Sequence, residues 1–112
     1  MGKTPEVILQ SELLDWLSSR GIFHWRNNTG AFRKNGRYVQ YGYKGSPDII
    51  AIIEGFFVGI EVKPGDKKQS EEQVKFEGDL TRAGGFYRVI RNVDELSDFV
   101  DFVRYGKHLT NV

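Results

Sequence analysis

The chain has 112 residues, of which 39% are hydrophobic and 28% charged, a balance that fits one small globular domain and excludes a disordered tail. It contains no cysteine, hence no disulfide or thiolate zinc site, and no apolar run near the roughly 18 residues of a membrane span. The net charge is +1, and the N-terminal stretch carries acids where a signal peptide would be apolar, so a cytoplasmic location is expected.

Thr4 and Pro5 suit the cap and first residue of a helix predicted to run to about Arg20 and stop at Gly21. Leu9, Leu13, Trp16 and Leu17 recur at helical spacing as its apolar stripe. Glu6 falls close to the centre of that stripe, one turn before Leu9 and Gln10, and an inward carboxylate needs a cation or a metal as partner. A short strand over 22–26 follows, with His24 read as a packed or surface imidazole and Trp25, like Trp16, expected in the core. Asn27-Asn28-Thr29-Gly30 is turn chemistry. Strands over 31–34 and 37–41 flank Asn35-Gly36, a strong hairpin signal.

From Trp16 to Pro47 there is no acid, while Arg20, Arg26, Arg33, Lys34, Arg37 and Lys44 give this segment a charge of +6. With Phe23, Trp25, Phe32, Tyr38, Tyr41 and Tyr43 interleaved, it can follow a phosphate backbone; a solvated hairpin with charges on its outer face is the plain alternative.

Strands over 48–53 and 56–63 are separated by Glu54-Gly55 and are apolar on both faces, which places this hairpin inside the sheet. Ser70-Glu-Glu-Gln73 is a capping box for a helix to about Ala83, ended by Gly84-Gly85. A strand over 86–90 and a second capping box, Asn92 to Glu95, lead into a last helix with Leu96, Phe99, Val100 and Val103 inward. The order predicts one α/β domain over 1–112, a mixed β-sheet flanked by helices. No role is assigned to His108.

A two-residue turn at Glu54-Gly55 pairs Ile53 with Phe56 and sets Asp48 directly opposite Glu61, on one face, with Lys63 pointing the same way. Two facing carboxylates repel, and a divalent cation is the natural compensation, since magnesium takes one or two carboxylates plus waters and phosphate. Lys63 can then stabilise charge on a phosphoryl group, and Glu6 can supply a further ligand or bind a metal-held water. The alternative is a simple Lys63–Glu61 salt bridge with Asp48 capping a turn, and a one-residue slip in register would separate the two carboxylates.

Pro47-Asp48 followed by Glu61-Val62-Lys63 resembles the PD-(D/E)XK nuclease signature. Its surroundings are similar to the VRR-NUC (virus-type replication-repair nuclease) family: Glu6 with Gln10, Trp25-Arg-Asn-Asn-Thr-Gly30, Gly45-Ser-Pro-Asp48, Ser70 with Gln73, and Ala83-Gly-Gly85. The resemblance covers about residues 6 to 95. It implies a restriction-endonuclease-like core and Mg2+- or Mn2+-dependent hydrolysis of DNA. It also implies that Asp48, Glu61 and the backbone carbonyl of Val62 bind metal, that Lys63 is the catalytic lysine, and that Glu6 and Gln73 join the site. Gln73 also has its capping role. The resemblance brings Arg26, Asn27 and Asn28 near substrate, although turn chemistry explains them too.

The function expected is a DNA endonuclease of phage or bacterial type, selective for branched DNA such as a Holliday junction and acting in repair. One site cuts one strand, so paired incisions by so small a domain require a homodimer. A flap or nicking enzyme, a restriction-type enzyme and a DNA-binding module without catalysis are the competing functions. No small-molecule cofactor and no membrane partner are expected.

Overall fold

A computed structural model describes residues 2–106, and His108 lies outside them. In chain order the elements are α1 (Pro5–Ser19), β1 (His24–Arg26), β2 (Gly30–Lys34), β3 (Arg37–Tyr41), β4 (Ile49–Ile53), β5 (Phe56–Val62), α2 (Glu71–Arg82), β6 (Phe86–Ile90) and α3 (Val93–Tyr105).

Local chemistry fixes most boundaries. Thr4 Oγ1 accepts from the Val7 N–H at 3.2 Å, and Gly21 leaves α1 with a φ of 65°. Ser70 and Gln73 form the full reciprocal box at α2, with bonds of 3.2 and 2.8 Å. The box expected at α3 is only half made. Asn92 Oδ1 accepts from the Glu95 N–H at 2.9 Å, but the Glu95 carboxylate accepts from the Arg91 N–H at 2.8 Å instead of the cap's own. Asn92 is extended, with φ −162° against −75° at Ser70, so the N–H within reach belongs to the preceding residue.

β1, β4, β5 and β6 form one sheet in that order, antiparallel except for the parallel β5–β6 pair. Both two-residue turns, Asn35-Gly36 and Glu54-Gly55, have positive φ at both positions (54° and 78°, 53° and 83°), as a type I′ hairpin requires. Ile49, Ala51, Ile53, Val58, Ile60, Val62 and Ile90 line one sheet face and are buried beneath α1 (Leu9, Leu13, Leu17) and α3 (Leu96, Phe99, Val100, Val103). Trp16 is half-buried at the edge of this core with the Arg20 guanidinium 4.2 Å above its ring.

The opposite sheet face is only partly covered. α2 lies over β6, with Phe76 against Tyr87 at 6.3 Å between ring centres. Register places Asn27, Asp48, Glu61 and Val89 in one row across this face, and Trp25, Ile50, Gly59 and Tyr87 in the next. Trp25 is 41% exposed, contrary to the core position expected for it. It sits on the edge strand, its ring 5.8 Å from that of Phe23, which is itself exposed.

β2 and β3 form a separate two-stranded ribbon, every residue of which is exposed.

Candidate active site

The β4–β5 pairing runs from Ile53 opposite Phe56 to Ile49 opposite Ile60, the register expected from the turn. The next pair outward is Asp48 and Glu61. Asp48 Oδ2 accepts from the Val62 N–H at 2.8 Å, so the aspartate side chain continues the ladder where the strand ends. Glu61 is 1% exposed and is the buried charged residue of the described chain. Its Oε1 accepts from the Tyr87 hydroxyl at 3.1 Å and its Oε2 from Gln73 Nε2 at 2.9 Å; Lys63 Nζ lies 3.9 Å from Oε2.

This environment pushes the Glu61 pKa up to about 9. Burial is the main cause and the neighbouring Asp48 carboxyl is next, while the Tyr87 hydroxyl and Lys63 pull the other way. Burial also raises the Tyr87 hydroxyl, helped by Glu61. Burial beside the Asp48 carboxyl favours the protonated form of Glu61, and a divalent cation can take that proton's place. The donor set therefore fits magnesium or manganese with open positions left for water and phosphate.

Gln73 holds two positions at once. Its Oε1 closes the capping box on the Ser70 N–H while its Nε2 donates to Glu61. The structural and the site reading of this residue are compatible because an amide has an acceptor end and a donor end.

Tyr87 and Arg91 were not evident from the sequence. Tyr87 comes from the strand parallel to β5, opposite Gly59, and a Cβ at Gly59 would lie 3.2 Å from the Tyr87 ring and 2.8 Å from Pro47. A glycine inside an apolar strand is a sign of such close approach, and it was the available signal. Arg91 donates to three carbonyls, those of Lys63 (3.2 Å), Gly65 (2.6 Å) and Lys67 (3.0 Å), and so holds the loop that leaves Lys63. Nothing local in the sequence marks it.

Glu6 does not join the carboxylate pair. Among the described residues no three His, Asp or Glu side chains group as a metal site. Glu6 Oε1 pairs at 3.8 Å with Lys67 Nζ, and its side chain is 40% exposed beside a cleft of about 550 Å³ between the start of α1 and residues 64–67. Helical periodicity gives the side chain's direction, but the first turn of α1 overhangs residues 64–67 instead of the buried core. Such an exposed pair contributes about 0–1 kcal/mol.

The Asn27 amide is turned inward: its Nδ2 donates to Ser46 Oγ at 2.7 Å and to the Pro47 carbonyl at 2.9 Å, which fixes the loop ahead of Asp48. Arg26 and Lys44 are exposed, and Arg33, Lys34 and Arg37 lie out on the ribbon. His24 is tied to the Ile22 carbonyl at 2.7 Å, as a packed imidazole would be.

No protein-family model matches the chain, and no curated protein matches it. Solved structures do. One described as "VRR_NUC domain" superposes with a TM-score of 0.63 at 17% identity, over 92% of this chain and 98% of the other. The fold is that of a VRR-NUC domain. A second, described as "VRR_NUC domain protein", gives a TM-score of 0.59 at 16% identity over 90% and 88%. At these identities the likeness is one of fold. The VRR-NUC architecture agrees with the resemblance carried by Pro47-Asp48 and Glu61-Val62-Lys63. Among the described residues no helix is long and apolar enough to cross a membrane.

Proposed function

We propose that this chain is a VRR-NUC family endonuclease that hydrolyses DNA phosphodiester bonds with Mg2+ or Mn2+. The observation that supports it best is the Asp48–Glu61 pair with Lys63 Nζ 3.9 Å from Glu61. Asp48, Glu61 and the backbone carbonyl of Val62 would hold the metal, which when bound supplies a Lewis acid and an acidified water. Tyr87 and Gln73 orient Glu61 through both its oxygens. Lys63 brings positive charge to the phosphoryl oxygens as negative charge builds on them. Hydrolysis joins a water oxygen to phosphorus and releases one sugar oxygen, which leaves with a proton.

The remaining groups serve the substrate. Arg26, Arg33, Lys34, Arg37 and Lys44 contact DNA phosphates, Asn27 shapes the Asp48 loop, and Glu6 with Lys67 stands at the rim. The substrate we favour is branched DNA, a Holliday junction above all, cut by a homodimer inside the host or phage-infected cell.

The test is cleavage of labelled junction, flap and linear duplex in parallel with Mg2+ or Mn2+. Wild type should cut the junction, and Asp48→Asn and Lys63→Ala should each lose at least a hundredfold. Cleavage surviving in either variant defeats the nuclease assignment. Equal cutting of all three shapes defeats selectivity for junctions while leaving the nuclease in place.

A further inference from the structure

Among the described residues the β2–β3 ribbon joins no other strand. Its strands pair only with each other and every residue is exposed, although a lone two-stranded hairpin is marginal in water. Register divides it into two faces. One carries Phe32, Val39 and Tyr41, which are 47%, 37% and 48% exposed, and then Lys34 and Arg37 at the tip. The other carries Arg33 stacked 4.5 Å over the Tyr38 ring.

Lys34 and Arg37 are directly opposed. Like charges facing across a hairpin destabilise it, so an isolated ribbon gains nothing from this pair unless an anion sits between or beside them. The ribbon contains three cations and no acid. A second copy of the chain would bring the same cations to an arm-to-arm contact, which counts against self-association here. A polyanion relieves the repulsion.

Size agrees with charge. Five residues per strand give a blade about 17 Å long, and the B-DNA major groove, about 12 Å wide, admits a two-stranded ribbon. The exposed rings supply apolar contact to the groove wall while the tip reaches phosphates. A-form RNA, with its deep and narrow major groove, offers no such entry.

We infer that the β2–β3 ribbon is an arm that enters the major groove of duplex DNA beside the cut site. The inference rests on the proposed nuclease function and extends it: the substrate needs a duplex arm long enough to receive the blade, and the arm contributes grip without touching the reacting phosphate.

The experiment compares wild type with Lys34→Gln/Arg37→Gln and with Phe32→Ser/Tyr41→Ser. Binding to a fluorescent 20-base-pair duplex is followed by anisotropy in EDTA across a salt series, with guanine N7 methylation as a groove probe. The first variant should bind at least tenfold more weakly, with a log–log salt slope shallower by about two, since each phosphate contact contributes about 0.9. Wild type should protect guanine N7, and both variants should lose that protection while keeping the wild-type circular dichroism melt. Unchanged affinity, slope and protection overturn the arm, and so does a change in oligomeric state on light scattering, which would make a second copy the occupant. Because no cleavage is measured, wild type that cuts DNA alongside variants that bind normally rejects the arm and keeps the nuclease.

Discussion

Glu61 accepts hydrogen bonds from Tyr87 and Gln73, faces Lys63 and lies beside Asp48, so a substitution at any of these residues acts through its carboxylate. Tyr87→Phe removes one donor and leaves the ring against Phe76. Partners that orient a metal ligand are typically worth ten- to a hundredfold in metal affinity. Mn2+ titration calorimetry should therefore show binding at least about tenfold weaker in Tyr87→Phe, and equal binding would reduce Tyr87 to packing. The raised pKa makes a second prediction. The folded chain keeps a proton on Glu61 up to about pH 9, whereas the unfolded chain gives it up near 4.5. The stabilisation from that proton is complete below pH 4.5 and is lost as pH rises toward 9, so the metal-free Tm should fall across this window. Glu61→Gln should flatten the slope, and saturating Mg2+ should oppose it by replacing the proton; a wild-type Tm that rises from pH 5 to 9 would contradict the assignment.

At the scale of the element, α2 starts at the site. Ser70→Ala removes only the cap, and should cost about 1 kcal/mol in thermal melts while leaving Mn2+ affinity alone. Gln73→Ala should show both the stability loss and weaker metal binding, because one amide serves both ends. If the two variants behave alike in the metal titration, the link between cap and site is absent. The elements also show what a sequence can carry. The Glu54-Gly55 turn fixed the β4–β5 register and with it the approach of Asp48 to Glu61, because a two-residue turn leaves no freedom of pairing. Tyr87 is not legible in the sequence because parallel pairing across α2 is set by tertiary packing, with no turn to count from. Glu6 meets a loop lysine for a related reason: helical periodicity gives a side chain's direction, and says nothing about whether sheet or loop lies there. Trp25 lies exposed where the sequence suggests core, because strand alternation does not reveal which face a helix covers.

The described residues measure 56 × 35 × 27 Å, with a radius of gyration of 15.2 Å, where a compact chain of about this length would have about 13 Å. The ribbon, exposed along its whole length, lies outside the four-stranded sheet whose end carries Asp48 and Glu61. Paired incisions by the proposed nuclease would require two molecules. Light scattering at working concentration should give twice the chain mass; a monomer that still makes paired cuts would rule out the symmetric arrangement. The two kinds of strand pairing around Glu61 also set an order of assembly. β4 and β5 are neighbours in the chain, and hairpins of this kind close in about 1–10 μs. β6 can join only after α2 has crossed back, and α2 and β6 bring Gln73 and Tyr87 with them. A nascent hairpin at neutral pH therefore holds two like charges face to face before their partners arrive. Acid or a divalent cation present at that moment should speed refolding, which would give the metal a part in the chain's folding as well as in the proposed chemistry.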